Sequence, residues 1–218
     1  GNHMLARAGD RIPVDGLDVH IVIAGGTVAT QPLPGAGDPN PLCLNFTPLP
    51  RDDSEDARSV GVVIRHGDFS KVDLGDLTWN KEFPLMCPNN QIGLVDLYLV
   101  SHHGSDTSGS AALVEAIAPR VGVMNNGPRK GGGPQTFEIL AGVQSLEDLW
   151  QNHYAVLAGD ANMDERFIAN LQDFAPPGDS AAVHLDPSHW IHVSARQDGS
   201  FTVTNSRNGF SRRYGPRN

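Results

Sequence analysis

Strand-like and helix-like segments alternate through the middle of the chain, and this alternation limits the fold more than any other feature. LVDLYLV (94–100) reads as a buried strand, GSAALVEAIAP (109–119) as a helix stopped by Pro119, and RVGVMNNG (120–127) as another strand. A short helical pattern precedes them near 79–86, and two more follow near 135–143 and 146–150. A chain that alternates in this way builds a layered sheet with helices over one side. The expected class is α+β, with a mixed sheet covered by helices.

The flanking segments add strands. DGLDVHIVIAGG (15–26) is a β-branched apolar run closed by a glycine pair, with His20 inside it as a core or edge residue rather than a ligand. Residues 27–56 are dense in Pro, Gly, Asn and Asp and read as one long irregular loop, of a length that suits a lid or a wrap over another surface. SVGVVIRHGDFSKVDLGD (59–76) reads as two strands joined at His66-Gly67-Asp68 and ending on an aspartate. HWIHVSARQDGSFTVTNSRNGF (189–210) reads as a C-terminal β-hairpin around Asp198-Gly199. With 218 residues, 39% of them hydrophobic, the chain suffices for one sizeable core, so residues 5–218 are read as a single domain. The opening GNHM (1–4) has the form of an expression-vector scar, which places the biological start elsewhere.

Charge and composition exclude several roles. A formal net charge of −9 opposes direct binding to nucleic-acid backbone. Arg207, Arg212, Arg213 and Arg217 form the one basic cluster, read as a solvated tail. No run approaches the roughly 20 apolar residues that span a bilayer, so a soluble chain, cytoplasmic or exported, is expected. Cys43 and Cys87 lie far apart with no C-x-x-C pair, and suggest neither a zinc knuckle nor a disulfide framework.

Chemistry gathers at two strand ends. VDLGDLT leaves Asp76 just past one strand and LVSHHGSDTS leaves His102 and His103 just past another. A sheet that aligns those strands brings a carboxylate and imidazoles to one edge. These are donor types that zinc and similar divalent ions accept, and the small residues that follow leave room for a substrate.

In this order the two segments resemble a known family. LGDLT, then LVSHHGSDTS, a helix and APRVGVMNNG, are similar to the C-terminal half of the metallo-β-lactamase superfamily, closest to the hydrolase domain of ComEC-type competence proteins. GDRIPVDGLDVHIVIAGG resembles the strand pair that opens that half, so the resemblance covers residues 9–127, and 128–218 add helices and the terminal hairpin. It implies the C-terminal half of an αββα sandwich whose intact site holds two divalent ions, zinc by preference, around a shared hydroxide. Carried over position by position, Asp76 is the bridging carboxylate and His102 the later histidine ligand. His103 would face the substrate or orient His102, giving Asp76 and His103 catalytic roles, and Ser105 and Ser108 would face the substrate or support the ligands.

The family's H-x-H-x-D-H motif is absent from residues 1–218. His66, His153, His184, His189 and His192 lack ligand spacing. The expectation is therefore part of a metal-dependent hydrolase for phosphodiester or ester substrates, a small molecule or a phosphodiester being its partner, with metal weak or absent and activity lost in this chain alone. Either an N-terminal half is missing or the uncovered sheet face self-associates, unless the long loop and terminal hairpin cover it. The alternative is a non-catalytic binding module built on the same sheet.

Overall fold

The computed structural model describes residues 5–171 and 188–217. Strands β1 (Arg11–Val14), β2 (Leu17–Ala24), β3 (Thr27–Val28), β4 (Gly61–His66) and β5 (Phe69–Asp73) come first. Helix α1 (Trp79–Met86), β6 (Leu97–Leu99), α2 (Ala111–Ile117), β7 (Val121–Met124), α3 (Pro134–Gly142), β8 (Asp148–His153) and β9 (Ile168–Asn170) follow. The chain ends with β10 (Ile191–Ala195), β11 (Phe201–Asn205) and β12 (Ser211–Tyr214). The protein is α+β: a mixed nine-stranded sheet ordered β1-β2-β4-β5-β6-β7-β8-β9, with β3 beside β2, and a separate antiparallel sheet β10-β11-β12.

The large sheet changes character at β5. From β1 to β5 the pairings are antiparallel, and from β5 to β9 they are parallel. A parallel neighbour needs a crossover. Helices α1, α2 and α3 supply the first three, stacking on one face around Val72, Tyr98, Leu113, Ile117, Met124, Phe137 and Leu149. The opposite face carries Phe69, Leu97, Val121, Val123 and Trp150, and it is covered by Phe201, Val203 and Tyr214 of the small sheet. With layers on both faces, strands such as β7 are buried throughout, as a parallel strand must be.

Several local expectations need correction. Residues 146–150 do not form a helix, because Asp148–His153 is a strand. Leu146, Leu149 and Trp150 have the i, i+3, i+4 spacing of a helix, but Leu149 enters the helix-side core and Trp150 the other, an alternation of period two. The C-terminal unit is a three-stranded meander rather than a hairpin, since Phe201 to Thr204 also pair with Tyr214 to Ser211. The terminal arginines pin this meander. Arg212 Nη1 donates to Asp148 Oδ1 at 2.8 Å, Arg207 Nη2 to the Glu165 carbonyl at 2.6 Å, and Arg217 Nη2 to the Val95 carbonyl at 2.6 Å. The two turns also clasp, with Asp68 N–H donating to the Gln197 carbonyl at 2.8 Å. Gly67 must stay glycine there: its φ is +60° and a Cβ would lie 2.2 Å from that carbonyl oxygen.

The long loop wraps the helical face. Leu33 is buried, and the buried Asn40 side chain donates to the Ala112 carbonyl at 2.8 Å. Cys43 on this loop forms a disulfide with Cys87 just past α1, 44 positions later. The sequence reading found no bridge because neither cysteine carries a local spacing signal; docking of the loop on α1 brings them together.

Glu82 on α1 is fully buried and accepts from Gly109 N–H at 2.6 Å and Ser110 N–H at 2.8 Å, at the start of α2. Loss of hydration pushes its pKa up to about 7, against the pull of those donors. With an unfolded value of 4.5, the folded state binds this proton more tightly. The associated stability is therefore full below about pH 4.5 and lost as pH rises through about 7. A shift of this size corresponds to of the order of 3 kcal/mol. Urea midpoints at pH 5, 6.5 and 8 are expected to fall with pH, and Glu82→Gln, which cannot titrate, should flatten that slope. Equal slopes in the two proteins would show that Glu82 is not the responsible group.

Candidate metal site at the ends of two adjacent strands

Strands β5 and β6 are parallel neighbours, with Asp73 opposite Leu99, so their following loops leave at the same edge. Ligands in open sheets of this kind sit outside the carboxyl ends of the strands. Asp76 lies three positions past β5 and His102 three past β6, and His102 N–H donates to the Gly75 carbonyl at 2.9 Å, tying the loops together. The histidine loop is under strain. His102, His103 and Gly104 are all left-handed, at φ +51°, +57° and +77°. For the two histidines that costs roughly 1 kcal/mol or more each, and strain of this kind concentrates at functional sites.

The histidine contacts fix which ring atoms are free. His102 Nδ1 lies 3.2 Å from Ser108 Oγ and 3.4 Å from Thr107 Oγ1, which leaves Nε2 facing Asp56, 3.8 Å from Oδ2. His103 Nδ1 lies 2.7 Å from the Asn125 carbonyl, which can only accept. Its proton is therefore on Nδ1 in the neutral ring, and the Nε2 lone pair stands 3.6 Å from Asp76 Oδ1. Ser108 is buried, whereas Ser105 lies over the cleft with Oγ 3.0 Å from Thr107 Oγ1.

The structure thus brings Asp76 and His102 together and adds Asp56. One ligand atom from each of Asp56, Asp76 and His102 falls within 4.8 Å of the others, and among the described residues this is the one group of three such donors. Asp56 begins a 3-10 turn, Asp56–Arg58, at the end of the long loop. Asp76 N–H donates to Ser59 Oγ at 3.2 Å, holding that turn against the β5 loop. Sequence reading used Asp56 only as a loop boundary. Its acidic surroundings, RDDSED (51–56), were the available signal, but no spacing distinguishes Asp56 from Asp52 or Asp53. His20 pairs with Asp18 at 2.9 Å, His192 is exposed on β10, and His184 lies outside the described residues.

A cleft of about 720 Å³ opens beside the three donors, lined by Leu49, Pro50, Trp79, His102 and Ser105 among others. Asp52 on its wall is held below the usual carboxylate range mainly by the Ser54 N–H, which it accepts at 2.9 Å. No described helix is long and apolar enough to cross a membrane. The sequence matches no family model and no curated protein.

Proposed function

We propose that the chain is the catalytic C-terminal part of a metal-dependent hydrolase of the metallo-β-lactamase superfamily, related to the ComEC-type hydrolase domain. The observation that carries this reading is the meeting of Asp76 and His102 at the ends of two parallel strands, in loops that resemble that family's ligand loops, with Asp56 of the long loop beside them. The donors suit a divalent ion: two carboxylates and one imidazole balance a +2 charge, and three protein ligands leave positions open for water and substrate. Asp56 adds a second carboxylate to the one carboxylate and one or two imidazoles expected at this edge. Zinc or a harder ion such as manganese fits an oxygen-rich set of this kind.

An ion bound there supplies a water of lowered pKa and polarises the scissile group. The chain's own residues do the rest. Ser108 and Thr107 hold the His102 ring so that Nε2 points to the carboxylates. His103 keeps its proton on Nδ1 through Asn125 and presents Nε2 beside Asp76, where it can take a proton from the attacking water and return it to the leaving group. Ser105 lines the substrate side.

Titration of chelator-treated protein with Zn²⁺ or Mn²⁺, followed calorimetrically, is expected to give one ion per chain. Asp76→Ala and His102→Ala should abolish binding, and Ser108→Ala should weaken it about 10–100-fold. Undiminished binding by the Asp76→Ala/His102→Ala double variant would refute the site.

A further inference from the structure

We infer that the cleft beside the three donors takes an uncharged carboxylic ester with a flat apolar group, and rejects phosphodiesters. This rests on the hydrolase reading above and names its substrate class.

The charge of the lining is the first reason. Asp52, Asp56 and Asp106 line the cleft, and among the described residues no lysine or arginine does. Arg51 and Lys81 border a smaller neighbouring hollow, where Arg51 Nε is already 2.9 Å from the Asp53 carboxylate. Binding of a divalent ion offsets Asp56 and Asp76 but leaves Asp52 and Asp106 negative. A phosphodiester brings its own negative charge into a concave, weakly hydrated wall of the same sign, where repulsion is stronger than on an open surface. Arginine and lysine are favoured protein partners for phosphodiester oxygens, and among the described residues this lining supplies neither.

The shape of the lining is the second reason. The Trp79 indole donates from Nε1 to the Thr47 carbonyl at 3.1 Å, so the ring is held in place with its polar edge occupied. Leu49 and Pro50 add apolar surface, and the strap that carries them is tied to α1. Asn80 Nδ2 donates to the Leu49 carbonyl at 2.7 Å and accepts Leu49 N–H at 2.9 Å through Oδ1. The pocket is therefore formed before any ligand arrives, and Leu49, Pro50 and Trp79 give it an apolar wall on which a small uncharged molecule can lie.

An uncharged carboxylic ester meets both conditions: its apolar group can lie along Trp79, and it brings no charge of its own toward Asp52 and Asp106. Hydrolysis is balanced by water alone. The water oxygen bonds to the acyl carbon, the acyl C–O bond breaks, and the water proton ends on the departing alcohol oxygen, giving one carboxylic acid and one alcohol.

The test reads binding rather than turnover, so that it stays separate from the hydrolase reading. The 218-residue protein, loaded with Zn²⁺, is titrated with 2-acetonaphthone, an uncharged carbonyl probe, and with dithymidine monophosphate, a phosphodiester, by ligand-observed NMR at low salt. Acetonaphthone is expected to bind at least 10-fold more tightly than the dinucleotide. Trp79→Ala should weaken acetonaphthone at least 5-fold while leaving Zn²⁺ affinity unchanged. Equal or tighter dinucleotide binding, or acetonaphthone binding indifferent to Trp79→Ala, overturns the substrate class even where Zn²⁺ binds as expected. Failure of Zn²⁺ to bind, with acetonaphthone still held at Trp79, overturns the hydrolase reading and leaves the pocket assignment standing.

Discussion

Removing the Cys43–Cys87 bridge is expected to lower stability by about 4 kcal/mol, because loop-closure entropy for 44 residues reaches that size at 25 °C. The bridge does more than shorten the unfolded chain. It ties the long loop to the end of α1, and the same loop carries the strap over the cleft and, at its far end, Asp56. A Cys43→Ser/Cys87→Ser protein should therefore unfold at a clearly lower urea concentration and also bind divalent ions more weakly, since one of three ligands loses its anchor. Equilibrium urea curves with and without a thiol reductant, followed by ion titration, measure both effects. Unchanged midpoints and unchanged ion affinity would mean that the loop is held by Asn40, Leu33 and the Asn80 contacts without the bridge.

Trp150→Ala is expected to be as damaging, at roughly 3–5 kcal/mol. Trp150 has no solvent exposure and sits where the two sheets meet. Its ring centre is 5.0 Å from that of Phe167, edge to face, and 5.6 Å from that of Phe210, stacked. Its Nε1 donates to the Tyr214 hydroxyl at 3.0 Å, and that hydroxyl in turn donates to Asp148. Truncation therefore opens a cavity and leaves a buried hydroxyl without its donor. In a protein of this size each kcal/mol moves Tm by about 2–4 °C, so a fall of roughly 6–20 °C is expected in a thermal melt. Trp150→Phe restores most of the volume but not the donor and should recover a large part of the loss. A Trp150→Ala melt within 3 °C of the parent would show that the small sheet does not depend on this contact.

How far these features could be read from the chain depends on how local their causes are. Asp76 and His102 stood out because each follows an apolar run that can only be a strand, and neighbouring parallel strands place their exits together. Asp56 did not, since its position comes from a loop folding back, and a carboxylate among several others has no periodicity to mark it. Leu149 and Trp150 misled for a definite reason: two cores on opposite faces of one strand produce a spacing that also fits one face of a helix. The cysteine pair was hidden in the same way as Asp56. The small sheet was half visible, since Asp198-Gly199 marks its first turn, while β12 follows a less distinctive turn and carries three exposed residues out of four.

The cover over the second face also sets the order in which the molecule can be completed. Phe69, Leu97, Val121, Val123, Trp150 and Phe167 all leave the ribosome before Phe201, Val203 and Tyr214, the residues that shield them. At 5–20 residues per second, the stretch from Phe167 to Tyr214 takes roughly 2–10 s to synthesise. For that interval the nascent chain carries a finished helix side and a bare aromatic one, and the final 14 residues up to Tyr214 close it. The segment that shields this face is thus made after it, so a ribosome that stalls before Tyr214 holds a species whose stickiness its own sequence was about to hide.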